Sequence, residues 1–262
     1  MAADALVTDA GITRLAQAAS RPPADPRAWQ VVLEHIESRL LSGDLVPGQH
    51  LPGERALSAE LGVGRSSVRE ALRVLEAMGL IRTATGSGPT AGAIIISTPG
   101  GAMSSLMRLQ VAARGFPVAD IVRTRLVLEA SVAGDLALAN PPADLVDAEL
   151  LLEAMDGESL SPDEFLALDA QFHLALAEAS GNQVVAATMA GLRSGIEAYV
   201  LDGLSHIDDW DATRRRLRHE HRSLVEAIRS KDAPLASRRI HDHISGYYAE
   251  TLPDHHAQTI QE

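Results

Sequence analysis

Three short helical periodicities are followed by a glycine-rich hairpin, and seven helical stretches with no strand pattern come after it. Together they predict a mainly α protein in two parts, an N-terminal winged helix-turn-helix and a C-terminal antiparallel all-helical bundle. Composition agrees. Aromatics are only 3% of the 262 residues while the hydrophobic fraction is 46%, so the cores must be built from Leu, Val, Ile and Ala, which suits close-packed helices. At this length two cores are expected rather than one.

Residues 1–27 are rich in Ala, Asp and Pro and read as a mobile extension. Residues 28–98 read as the winged domain. From Trp29 to Leu41, Val32, Leu33, Ile36 and Leu40 recur at helical spacing, Gly43 ends the helix, and Pro47-Gly48 makes a turn. Glu54 to Leu61 is a short second helix and Gly62-Val63-Gly64 a tight turn. Arg65 to Met78 is a third helix, with Val68, Leu72 and Leu75 as its buried stripe and Gly79 as its stop. Leu80 to Thr83 and Ala93 to Ser97 read as two short strands around Gly86-Ser87-Gly88. Residues 99–102 read as a linker, 103–250 as the helical domain and 251–262 as a tail. The predicted helices of that domain span 103–113, 118–139, 143–155, 162–179, 182–203, 211–230 and 233–250, separated by Gly, Pro and Asn breaks.

The chain has no cysteine, which excludes a disulfide scaffold, a thiolate zinc site and a cysteine nucleophile. It has no uninterrupted apolar window of membrane-spanning length and no basic start followed by an apolar run, so neither a membrane nor a secretory route is expected, and the expected location is the cytoplasm. The formal net charge of −12 weighs at first against nucleic acid. Its distribution reverses that: net 0 over 1–28, −1 over 29–98 and −11 over 99–262. A local basic face is therefore compatible with the N-terminal part.

Arg65, Arg69 and Arg73 stand at i, i+4 and i+8 and share one face of the third helix, opposite the buried stripe. Arginines there can fork onto guanine edges or grip phosphate. Ser66 and Ser67, in the first turn, suit phosphate, as do the N-terminal backbone amides. Arg55 can reach the DNA backbone from the second helix, and the slim turn at Gly86 can approach the minor groove. A stripe of arginines alone reads better as a solvated face. The tight turn before it and the hairpin after it favour DNA.

Eight of the ten histidines follow residue 170. Asp169 and His173 are four apart, on the helical face of Phe165, Phe172 and Leu176; His221 shares a face with Leu217, Leu224 and Ile228; His243 shares one with Ala236, Ile240 and Tyr247. A carboxylate on an apolar stripe is costly unless it is paired or bound to a cation. Three imidazoles and one carboxylate, with positions left for water or ligand, suit Zn²⁺, Ni²⁺ or Mn²⁺. Taken singly, each histidine reads better as a hydrogen-bonded core residue; it is the convergence of four inward polar residues that favours a metal.

The run Leu-Val-Pro-Gly-Gln-His-Leu-Pro-Gly-Glu-Arg-Ala-Leu (45–57), with Leu-Gly-Val-Gly-Arg-Ser-Ser-Val-Arg-Glu-Ala-Leu-Arg-Val-Leu-Glu-Ala-Met-Gly-Leu-Ile (61–81), resembles the GntR family of bacterial regulators over residues 30–88. The resemblance implies DNA contacts at Arg55, Arg65, Ser66, Ser67, Arg69 and Gly86. The chain departs from the family in having Gly53 and Gly64 where Ser is common, and in a longer wing through Pro89-Thr90-Ala91-Gly92. Residues 103–250 resemble the FCD ligand-sensing domain of the FadR subgroup, through 120–129, Asp-Ala-Gln-Phe-His-Leu-Ala-Leu (169–176), Ala-Ser-Gly-Asn (179–182) and 219–228. This implies a divalent metal on Asp169, His173, His221 and His243, and a small organic acid as effector. By the same resemblance Arg125 is the candidate effector cation, with an ion pair to Glu129 as the alternative. Asn182 is a candidate polar contact, or equally a helix cap.

The resulting expectation is a metabolite-responsive repressor that binds a palindromic operator as a homodimer. A metal-dependent hydrolase using the Asp/His site, or a regulator whose metal is purely structural, are the alternatives. No general base, nucleophile motif or phosphate loop supports the hydrolase.

Overall fold

The computed structural model describes residues 27–84, 92–96 and 99–251. The N-terminal extension, the wing tip with Gly86 and the tail from 252 onward lie outside them. The chain divides into two units, Met1–Ser97 and Thr98–Glu262.

In the first unit, α1 (Ala28–Leu41), α2 (Glu54–Leu61) and α3 (Arg65–Ala77) precede β1 (Ile81–Ala84) and β2 (Gly92–Ile95). The strands pair antiparallel, with Ile81 opposite Ile95. Val32, Ile36, Leu57, Val68, Leu72, Leu75, Ile81 and Ile95 form the core, as the helical and alternating patterns require. Gly62 closes α2 at φ +65°, a left-handed backbone that costs glycine little, and the Ser58 hydroxyl donates to the Val63 carbonyl at 2.6 Å to tighten the turn. Glu76 of α3 accepts from the Thr83 amide at 2.9 Å and from its hydroxyl at 2.6 Å, which ties the third helix to the first wing strand.

The second unit is all-helical: α4 (Pro99–Ala112), α5 (Val118–Leu138), α6 (Val146–Ala154), α7 (Pro162–Ala179), α8 (Gln183–Gly203), α9 (Trp210–Arg229) and α10 (Ala233–Thr251). A 3-10 turn, Leu204–His206, follows α8. Residues 99–102, expected to be a linker, are instead the start of α4. Proline is well suited to the first helical position because its missing N–H has no intrahelical role there. Helix α6 starts three residues later than expected, where the Asp144 carboxylate accepts from the Val146 amide at 3.0 Å. Phe165, Phe172, Leu217, Leu224, Ile240 and Tyr248 are among the largest fully buried side chains. Helix α4 packs on α8, α5 on α10, α7 on α8, and α9 on α10.

Candidate functional site

Two features stand out, one in each unit. On α3, Arg65, Ser66, Arg69 and Arg73 are exposed and Ser67 is half-buried, while Val68, Leu72 and Leu75 are buried behind them. Arg55 is exposed on α2. The helix thus presents a polar, arginine-bearing face and is anchored by its opposite face. Sequence reasoning did not single out Glu54. Its carboxylate accepts from Arg69 Nε at 2.8 Å and lies 3.5 Å from Arg65.

The second feature is inside the helical unit. Helix α7 is opened by a capping box in which the Ser161 hydroxyl and the Glu164 carboxylate satisfy each other's backbone amides, with Pro162 at the first helical position. That start sets the phase which turns Phe165, Asp169, Phe172, His173 and Leu176 inward together. Helices α9 and α10 bring His221 and His243 from their own apolar stripes. All four polar residues are buried, and one donor atom of each lies within 4.8 Å of the others. His173 Nε2 and His243 Nε2 are 3.2 Å apart, as are His221 Nε2 and His243 Nε2; His221 Nε2 is 3.0 Å from Asp169 Oδ1, and His173 Nε2 is 3.7 Å from Asp169 Oδ2.

The outward nitrogens decide what the inward ones can be. His173 Nδ1 donates to Glu129, and His243 Nδ1 donates to Glu220 at 2.8 Å. An imidazole whose Nδ1 carries the proton presents a lone pair at Nε2. Two lone pairs therefore face each other at 3.2 Å, and Asp169 Oδ1 has no aligned hydrogen bond although His221 is close. Such an arrangement is unfavourable without a cation and is the donor set a divalent metal requires: imidazole Nε2 atoms plus a carboxylate, with carboxylates behind the rings. The residues fit a metal on these grounds.

Burial alone would raise the carboxylate pKa values, but the neighbouring cation and the hydrogen-bonding imidazoles outweigh it. Arg125 and His173 pull Glu129 down to about 2, and the three imidazoles hold Asp169 below the usual carboxylate range. Burial, helped by the adjacent His221, pushes His243 down to about 4, which favours the neutral, ligating form.

Arg125 is buried on α5. Its Nε donates to Glu129 at 2.6 Å and its Nη1 to the Tyr199 hydroxyl at 2.8 Å, so the ion pair weighed as an alternative is present. Arg125 also lines a cavity of about 10 Å³, the space of a single water, together with Asp169, His243, Tyr199, Tyr247 and Tyr248. The chain has only three tyrosines, and all three line this cavity. The Tyr248 hydroxyl is buried without a partner. Asn182 is exposed, and its side chain caps α8 by accepting from the Val184 and Val185 amides at 3.2 Å each. The cap alternative is therefore the one its contacts describe, and Asn182 does not line the cavity. Sequence reasoning missed the tyrosines and the positioning role of Glu129 and Glu220. Glu220 directly precedes His221, but nothing in its spacing points to His243 on the next helix.

A winged helix-turn-helix followed by an all-helical unit is an architecture of DNA-binding transcription regulators. Residues 29–90 match the family described as "Bacterial regulatory proteins, gntR family", and residues 120–246 match the FCD domain. The chain is 30% identical over 244 residues to the HTH-type transcriptional repressor NanR of Citrobacter rodentium, covering 88% of this chain and 87% of that one. It is 29% identical over 220 residues to the Glc operon transcriptional activator of Escherichia coli K12, covering 82% and 85%. A solved structure titled Streptococcus agalactiae GntR superposes with a TM-score of 0.56 at 26% identity, over 85% of this chain and all of that one. The chain belongs to the GntR family of bacterial transcription regulators and carries an FCD domain. These relatives are regulators, not enzymes.

Proposed function

We propose that this regulator is a metabolite-responsive repressor that binds a palindromic operator as a homodimer and is released by a small carboxylate bound at a divalent-metal site. The observation that carries the reading is the inward convergence of Asp169, His173, His221 and His243 beside the buried Arg125. Zn²⁺, Ni²⁺ or Mn²⁺ suits this donor set. When bound, the cation supplies positive charge and open coordination positions for an anionic effector. Glu129 and Glu220 fix the ring orientation of His173 and His243, and Glu129 also holds Arg125. Within the cavity's polar lining, Arg125 and the unpartnered Tyr248 hydroxyl are the candidate effector contacts. The cavity is too small for an organic acid as it stands, so effector binding must move its walls. A ligand that binds two arrangements unequally shifts the equilibrium between them.

On the DNA side, Arg55, Arg65, Ser66, Ser67, Arg69 and the wing residue Gly86 are the proposed contacts. Thermal unfolding of the purified protein against a panel of small carboxylates, with and without chelator, tests the effector reading, because native-state ligands raise Tm by mass action. A carboxylate that raises Tm only when metal is present supports it. Destabilisation by chelator with no carboxylate effect instead supports a structural metal.

A further inference from the structure

Glu54 is the first residue of α2, and its carboxylate reaches across to α3. One oxygen, Oε2, accepts from Arg69 Nε at 2.8 Å and lies 3.5 Å from Arg65 Nη2. Those arginines are one turn apart on the exposed face of α3, so a single acid on the first helix of the turn holds both arginines of the second. The side chains of Arg65, Arg69 and Glu54 are 59%, 54% and 34% exposed, and a pair this open contributes little to stability.

Its consequence lies in the orientation of a guanidinium. Arginine carries five N–H donors in a rigid planar fork. With Nε held by Glu54, the plane of the Arg69 group is set, and its two terminal nitrogens are the pair suited to O6 and N7 of a guanine. Among the described residues Arg69 makes no other ion pair. The carboxylate also sets a negative charge beside the arginines, which weakens attraction to phosphate whatever the sequence.

We infer that Glu54 is a positioning residue for base recognition: it aims Arg69 at a base edge and lowers affinity for arbitrary DNA, setting specificity more than affinity. The inference rests on the proposed reading of Arg65 and Arg69 as DNA contacts.

The test selects duplexes from a random-sequence library with the full-length wild-type protein, which yields a consensus directly. Affinities are then measured for that consensus, for its single-base variants and for a scrambled duplex. The proteins are wild type, Arg69→Ala, Glu54→Ala, Glu54→Gln and the Glu54→Ala/Arg69→Ala double variant, with unfolding curves to establish that each is folded. Arg69→Ala is expected to lose discrimination at one base position. Glu54→Ala is expected to lose it at the same position, roughly tenfold, while binding the scrambled duplex at least as well as wild type. The double variant should discriminate there no worse than Arg69→Ala. Glu54→Gln, whose amide oxygen still accepts from Nε, should keep most of the discrimination yet bind the scrambled duplex more tightly; it carries the test if the alanine variant fails to fold.

Equal weakening of consensus and scrambled duplexes by Glu54→Ala, or a Glu54→Gln protein no tighter on scrambled DNA, overturns the role of Glu54 alone. A library with no consensus, or full discrimination by Arg69→Ala, overturns the recognition-face reading and this inference with it.

Discussion

Each of two histidines in the cluster, His173 and His243, has a ring orientation set from behind. Glu129 reaches His173 from α5, and Glu220 reaches His243 from α9, so both rings turn Nε2 toward the same point. Outer partners of metal ligands typically matter by 10–100-fold in affinity. Glu220→Gln is therefore expected to weaken binding of added Zn²⁺, Ni²⁺ or Mn²⁺ to the chelated protein by about that factor, and His221→Ala by more; titration calorimetry checks both. The buried groups also make stability depend on pH. His243 protonates near 6.5 in the unfolded chain and only near 4 in the folded one, so between those values the unfolded chain holds more protons and folding weakens as pH falls. Glu129, at about 2 in the fold against an ordinary 4.5, continues the loss below that window. Tm of the chelated protein should fall steadily from pH 6.5 toward pH 4, and a flat or rising curve contradicts this. At this scale the inward-facing polar cluster was legible, because Asp169, His173, His221 and His243 stand in place of apolar residues on helical stripes. Their outer partners were not, because contacts between helices have no fixed sequence spacing.

The helices themselves were legible nearly to the residue wherever a Gly, Pro or capping residue punctuates the pattern, as at Ser161-Pro162 and Ser180-Gly181-Asn182. The start of α4 differs from the linker expected there because Pro99-Gly100-Gly101 reads locally as a breaker, whereas proline at a helix start is favourable. What periodicity could not reveal is how closely α4 approaches α8. A Cβ on Gly191 would stand 2.6 Å from Met107 Cβ and 3.1 Å from Ser104 Cα, and one on Gly195 would collide with Val111. The Ser104 hydroxyl donates to the Ala187 carbonyl at 2.9 Å on the same seam. Ala is preferred over Gly inside a helix by about 1 kcal/mol, but overpacking a close contact costs about 1–3 kcal/mol. Gly191→Ala is therefore expected to be neutral to destabilising by about 2 kcal/mol in denaturant unfolding, and a clear stabilisation would show that the seam relaxes freely.

Along the whole chain, the net acidity belongs to residues 99–262, and the winged unit is near neutral. A net charge of −12 is thus compatible with a DNA-binding face that is basic only where it reads. The chain joins that face to a unit whose buried centre holds one acid, three imidazoles and an arginine paired with a glutamate. The proposed function requires that occupancy of this centre governs DNA affinity. Fluorescence anisotropy of a library-selected duplex tests this most directly, titrated with full-length protein in four states: metal-loaded or chelated, each with and without the carboxylate that most raises Tm. The carboxylate is expected to weaken DNA binding of the metal-loaded protein at least about fivefold, to leave the chelated protein unchanged, and to have no effect on a His221→Ala control in the same metal-containing buffer. Equal DNA affinity in all four states would contradict it.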